Sequence, residues 1–449
     1  MTTRVLAVDL GATSIRVAEV DLDDLTAGPR IVHRWPHAPV MHDDGSLRWD
    51  WHGIVREVRH GLDLAFERGP AASIGIDGWG VDYGLIRRDG RLVDVPFSYR
   101  DARTAGWRRS LDRIGAHHLY EVTGIQLMPI NTIFQLATHD PRQLAAADHL
   151  LLLPDLLLHE LTGHVGAERS NASTTALLDA RTGDWCDELV EAVGLPRRLL
   201  PAVVEAPDEV GTYRQVPVHL VGSHDTASAV AALPSVAGSR SAFVSSGTWA
   251  LVGAERDTPD TSAAARAANF SNELGALGGV RFLKNVMGFW MLEQCRAQWG
   301  HPPIEELVSR AEAVTHDVPR IDATDNRFLS PADMEAEVRA ASGINGGDRA
   351  VVTRIILESI AAATAQVVAE LDHFLDDPVE ELLVIGGGVR MDLMNRLYAE
   401  HTGLPVTTGS PEATALGNAL VQGVALGVFA DLPAARSAVV AALADVEDD

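Results

Sequence analysis

Two interleaved sets of positions, Val5/Ala7/Asp9 and Leu6/Val8/Leu10, open the chain. After Gly11-Ala12-Thr13-Ser14 the alternation resumes at Ile15, Val17 and Val20. A period of two on either side of a small-residue turn predicts a hairpin. A dinucleotide-binding unit would enter a helix at that glycine; here the chain turns back as a strand. Residues 72–86 read as two further strands around a turn, and 51–69 carry apolar residues at helical spacing that end at a glycine. Residues 103–210 read as mostly helical with short loops at prolines. SAFVSSGTWALVGAE (241–255) repeats the opening logic of strand, small-residue turn, strand. Downstream, 318–338 reads as an exposed polar excursion and 349–375 as a helix. Residues 381–403 read as strand, three glycines and helix, and 413–427 as a small-residue helix able to pack closely.

Length and composition extend this picture. A chain of 449 residues exceeds what one core usually holds, so two domains are expected. The two similar hairpins, about half a chain apart, predict a duplicated core in two lobes, with the boundary near Pro234–Gly238. The apolar fraction of 46% supports substantial cores. No apolar run reaches the roughly 20 residues of a membrane span, and the N-terminus lacks a signal-peptide pattern, so a cytoplasmic protein without a membrane partner is expected. Cys186 and Cys295 cannot build a disulfide framework or a structural zinc site. A net charge of −25 argues against a nucleic-acid partner. Lys284 is the only lysine, and it falls in the LKN segment beside Asn285.

The small-residue turns are candidates for anion binding, because bare backbone N–H groups pointing into one concavity attract oxyanions. GATS at 11–14 and SSGT at 245–248 are two such turns, one per lobe, and together they would grip a polyphosphate. Asp9 beside the first turn would then hold Mg²⁺, which binds through one or two carboxylates plus phosphate oxygens. Taken singly, each turn is equally a structural hairpin. The glycines of IGGGVRMDLMNRL (385–397) allow close approach to a flat ring or tight strand–helix packing. Asp225, in VGSHDTASAVAALP, is either a helix N-cap or a general base. It is the only acid between 211 and 254. In DGWGVDYG, Trp79 offers an apolar face and Asp82 an acceptor, a pairing suited to a sugar; core packing of Trp79 is the alternative. No GxxxxGK[ST] and no GxGxxG occurs, so any ATP site is built differently.

These motifs, in this order, resemble the FGGY family of sugar kinases. The resemblance rests on Asp9-Leu-Gly-Ala-Thr-Ser, IGIDGWGVDYGLI, SHDTASAV, SSGTWALVG, LKNVMGFWMLE and IGGG, and it runs over residues 1–430. It implies an α/β, two-lobed, ribonuclease-H-like fold of the actin/hexokinase ATPase type, with a cleft between duplicated lobes. The sugar lobe would span 1–235 and the nucleotide lobe 236–449. The implied reaction is ATP-dependent phosphorylation of the 1-hydroxyl of a ketose, L-rhamnulose. L-Fuculose, D-xylulose and L-ribulose are alternatives, and an actin-type ATPase or inactive sugar sensor is an alternative of another class. Asp225 would be the general base, with Trp79, Gly80, Asp82, His224 and Thr226 near the sugar. Ala12, Thr13, Ser14, Ile15, Arg16, Thr248, Asn285, Glu293 and Gly387 would meet ATP, and Asp9 the magnesium. Ile15 stands where the family commonly has glycine, and Glu293 where it has glutamine.

Overall fold

The computed structural model describes residues 3–235 and 239–447, so part of the expected boundary at 234–238 lies outside the described residues. The chain groups into two compact units. One comprises 1–237, 255–282 and 413–449; the other comprises 238–254 and 283–412. A division at 235/236 leaves 255–282 and 413–449 with the second lobe. Contacts place both segments in the first unit, because a chain may return to a core that it left earlier.

In the first unit six strands lie in the order Glu209–Tyr213, Val216–His219, Ser73–Gly78, Arg4–Leu10, Ser14–Asp21, Arg30–Pro36. The expected hairpin is present: Arg4–Leu10 and Ser14–Asp21 pair antiparallel, with Leu10 opposite Ile15. Ser73–Gly78 joins Arg4–Leu10 in parallel, with Asp77 level with Asp9. Six of the seven residues of Arg4–Leu10 are buried, as a strand covered on both faces requires. The helix Trp51–Glu67 packs on this sheet and is capped by Asp50, which accepts from the Gly53 N–H.

The two strands expected within 72–86 both form but do not pair with each other. Tyr83–Ile86 leaves the main sheet and pairs antiparallel with His149–Leu152. That strand, the short pair Ala167–Glu168 and Val203–Val204, and the start of Glu209–Tyr213 interrupt the region 103–210, which is otherwise mostly short helices around a core containing Phe134, Leu152, Leu177 and Leu199.

The second unit repeats the plan. Its strands follow the order Val280–Met287, Trp249–Arg256, Ser241–Ser246, Glu381–Ile385, Val406–Thr408. Each sheet therefore has a hairpin whose first strand is flanked on its other side by a parallel strand from later in the chain. The segment 318–338 corrects the expectation of an exposed excursion. Ile321, Ala323, Phe328, Met334 and Val338 are all buried, and a helix begins at Met334. The helix Arg349–Leu371 is 23 residues long and, among the described residues, apolar enough to meet the length and composition of a membrane span. That corrects the statement that no run approaches this length. Thirteen of its side chains are buried in the unit's own core, from Ala350 to Leu371.

The small-residue helix Ala413–Ala425 packs against Asp225–Ala231 at very short range. A Cβ at Gly417 would lie 1.7 Å from the Ser228 carbonyl oxygen and 3.1 Å from the Ala232 nitrogen. Backbone cannot yield as a side-chain tip does, so Gly417→Ala must separate the two helices. We expect a loss of about 1–3 kcal/mol, read as a lower urea midpoint; an unchanged midpoint would show that the contact is looser than described.

Candidate functional site

The parallel register sets Asp9 and Asp77 side by side near the carboxyl ends of their strands, where open α/β sheets usually bind ligands. Asp9 is 2% exposed and accepts from Arg16 Nη1 at 2.7 Å. Asp77 is fully buried. Asn418 donates to its Oδ2 at 2.6 Å, while Oδ1 has no hydrogen-bond partner among the described residues. Burial first, then the Asp9 carboxylate, push the Asp77 pKa well above the usual carboxylate range. Gln422 holds Asn418 in turn, donating to Asn418 Oδ1 at 2.7 Å and to the Leu6 carbonyl at 3.0 Å.

The first turn is tight. A Cβ at Gly11 would stand 2.8 Å from the Ser14 carbonyl oxygen. His37 braces it, with Nε2 2.8 Å from the Gly11 carbonyl and its backbone N–H donating to Thr13. Ala12, Thr13 and Ser14 are half-buried, whereas the Ile15 side chain is wholly inside the sheet and offers only backbone to the turn. Among the described residues no group of three His, Cys, Asp or Glu side chains could cage a metal ion. A single carboxylate beside a phosphate-binding turn does fit Mg²⁺, which takes few protein ligands and completes its shell with phosphate and water.

Asp225 is reached through a buried organiser. Glu168 is wholly buried, and its Oε2 accepts from the N–H groups of Ser170 (3.0 Å) and Ser223 (2.9 Å) and from Ser223 Oγ (2.8 Å). Ser170 Oγ accepts from the His224 N–H at 3.1 Å, and the Ser223 carbonyl accepts from the Gly78 N–H. His224, not Asp225, is the N-cap of the helix Asp225–Ala231, and no side-chain cap bond forms there. That sets aside the N-cap reading of Asp225. Its carboxylate is 27% exposed and accepts from Thr226 Oγ1 at 3.2 Å, with His224 Nε2 3.5 Å away.

Gly80 faces this carboxylate's neighbours: a Cβ there would lie 3.0 Å from Thr174 Oγ1 and 3.3 Å from His224 Nε2. Trp79 is 4% exposed and tilts against Trp49 at 4.5 Å between ring centres. Asp82 corrects the reading of a sugar-facing acceptor. It is 0% exposed. Its Oδ2 accepts from the indoles of Trp49 (2.7 Å) and Trp79 (3.0 Å) and from the Tyr99 N–H, and its Oδ1 from Gln135. Asp82 therefore orients the two tryptophans.

In the second unit the SSGT turn, the glycine run and the start of Trp290–Gln298 converge. A Cβ at Gly288 would lie 2.5 Å from the Gly247 carbonyl, and the Trp290 N–H donates to Thr248. Gly386 holds φ of +84°, and a Cβ at Gly388 would collide with Ser246 Oγ at 2.2 Å. Gly388 thus packs tightly, as the packing alternative expects, while a Cβ at Gly387 would meet nothing within 4 Å. Asn285 is half-buried on its strand. The Glu293 carboxylate lies 3.1 Å from Arg296 Nε on its own helix. Lys284 pairs with Glu370 on the long helix Arg349–Leu371.

Sequence reasoning passed over Glu168, Asp77, Glu273 and Arg281. Asp77 stands in the quoted IGID and could have been singled out as a carboxylate inside an apolar strand. Glu168 has no local signal, since its partners are distant in sequence.

Burial raises the Asp82 pKa to about 6. The folded state thus holds this proton more tightly than the unfolded chain, and the associated stability is lost as pH rises from about 4 to about 6. The amount is roughly 3 kcal/mol. Urea titrations at several pH values are expected to show Asp82→Asn less stable overall but with a flatter slope in that window than the parent. Equal slopes would contradict the assignment.

The chain matches the N-terminal domain of the FGGY family of carbohydrate kinases over residues 4–234 and its C-terminal domain over 242–426. It is 39% identical to a protein named Rhamnulokinase from Bacteroides thetaiotaomicron, covering 96% of this chain and 92% of that one. The Pectobacterium atrosepticum Rhamnulokinase is 38% identical, covering 96% and 90%. Among solved structures, a ligand-bound xylulose kinase from Lactobacillus acidophilus superimposes with a TM-score of 0.76 at 15% identity, over 96% of this chain and 91% of that one, a likeness of fold. With its actin/hexokinase-type fold and both family domains matched, the chain belongs to the FGGY family of carbohydrate kinases.

Proposed function

We propose that this protein transfers the γ-phosphoryl group of ATP to the 1-hydroxyl of L-rhamnulose. The observation that carries the reading is the part-exposed Asp225 carboxylate at the first turn of a helix, next to Gly80 and His224. Relatives named Rhamnulokinase, matched over nine-tenths of their length, support the choice of sugar.

Phosphoryl transfer asks the protein for positioning and charge neutralisation more than for covalent chemistry. Asp225 accepts the proton of the attacking hydroxyl as the new oxygen–phosphorus bond forms and the bond from the γ-phosphorus to the bridging oxygen breaks, that oxygen leaving with ADP. Trp79, oriented by Asp82, gives the sugar an apolar wall, and Gly80, His224 and Thr226 lie around its hydroxyls. The turn residues Ala12, Thr13, Ser14 and the backbone of Ile15, with Arg16, serve the phosphates from the first unit. Thr248, Asn285, Glu293 and Gly387 serve the nucleotide from the second. Mg²⁺ bound through Asp9 would offset the charge of the transferring phosphates. The functional division follows the two units, with 1–237, 255–282 and 413–449 serving the sugar and 238–254 with 283–412 serving the nucleotide, in a cytoplasmic enzyme whose partners are a ketose and ATP.

Coupled ADP release with a panel of ketoses tests this. L-Rhamnulose is expected to give the highest kcat/KM, and ADP release at equal speed without sugar would defeat the kinase reading. Better turnover of L-fuculose, D-xylulose or L-ribulose would replace the substrate. Asp225→Asn is expected to lower kcat by about 10²–10⁴-fold with ATP binding retained; full activity would refute the general base.

A further inference from the structure

Beneath Asp225 two charged side chains meet one imidazole in the interior. Arg281 is 1% exposed, Glu273 4% and His224 7%. Arg281 Nη2 lies 3.1 Å from His224 Nδ1 in hydrogen-bonding geometry. Arg281 Nε and Nη2 also donate to the Leu274 carbonyl at 3.2 and 3.1 Å, which fixes the guanidinium plane. Glu273 Oε2 lies 3.2 Å from the same Nδ1 and 3.3 Å from Arg281 Nη1, yet accepts no hydrogen bond there among the described residues. Its charge balances the guanidinium.

A guanidinium has donors and no acceptor. Where Nδ1 takes that donor it presents its lone pair to Arg281, and the ring proton then resides on Nε2. Nε2 faces the site: it is 3.5 Å from Asp225 Oδ1 and 3.3 Å from where a Cβ on Gly80 would stand. The charged groups facing the ring are Arg281, Glu273 and Asp225.

We propose that Arg281, balanced by Glu273, is a positioning residue that holds His224 as the Nε2–H tautomer. The site then offers one donor beside the Asp225 acceptor, matched to a substrate oxygen on the carbon next to the reacting hydroxymethyl group. The substrate half of this statement rests on the ketose-kinase reading; the tautomer does not.

The ¹⁵N spectrum of histidine-labelled protein tests it, with His224→Gln to assign the ring. The wild-type ring is expected to show a pyridine-like Nδ1 and a pyrrole-like Nε2, and Glu273→Gln is expected to keep that pattern. In Arg281→Met the proton is expected to move to Nδ1, where Glu273 can accept it. In that variant the sugar KM should rise about tenfold, the loss of roughly one hydrogen bond, with the ATP KM unchanged. A wild-type ring protonated at Nδ1 overturns the proposal, as does an Arg281→Met variant with unaltered tautomer and sugar KM. Should Arg281→Met fail to fold, Arg281→Lys, which retains a donor and a charge, is expected to keep the wild-type pattern; loss of the pattern there counts against the proposal. Absence of turnover with any ketose, alongside the expected wild-type spectrum, would remove the substrate reading and support the tautomer.

Discussion

A carboxylate taken out of water persists only where donors are aimed at it, and the first unit is organised around such groups. Glu168 gathers Ser170 and Ser223 on one oxygen and so sets the chain direction just ahead of Asp225. Asp82 ties two indoles and a backbone N–H together. Asp77, left with one oxygen unpartnered, is held by Asn418 from the far end of the sequence. Removing the Asn418 donor leaves Asp77 with a second buried oxygen unsatisfied, at a typical cost of about 1–3 kcal/mol. The accessible groups, Asp225 foremost, inherit their positions from the inaccessible ones.

The repeated sheet plan explains how one chain comes to have two comparable small-residue turns. In each unit a hairpin is followed by a parallel strand laid against its first member. Parallel strands need a long connection, and that connection differs between the units. In the first it contains the helix Trp51–Glu67, and in the second the segment 318–338 and the helix Arg349–Leu371. Elaboration of the connections, with the strand order kept, lets one half carry the part-exposed Asp225 carboxylate and the other a glycine run open at Gly387.

Both hairpins, the glycine-rich strand–helix unit and the main helices were legible in the chain itself, because periods of two and near 3.6 are local properties. The family was legible for the same reason, since its motifs are short and contiguous. Segments 72–86 and 318–338 were only half legible. Residues 83–86 read as a strand, but no local rule says that the partner is 149–152. The apolar residues of 318–338 are too sparse to show a period, and the core they fill comes from elsewhere.

What the sequence by itself determined is therefore the set of elements, the family and the short stretches in which the chemistry resides. Tertiary structure alone decided which acids are exposed. Asp82 and Asp225 look alike as letters near small residues, yet one is enclosed by Trp49, Trp79, Tyr99 and Gln135 while the other stays part-exposed. It also decided that Lys284 faces Glu370 and that Arg281 and Glu273 meet at His224. The reason is physical: hydrogen bonds and desolvation act between atoms a few ångströms apart, and hydrogen-bonded partners in this fold lie as far as 416 positions apart along the chain.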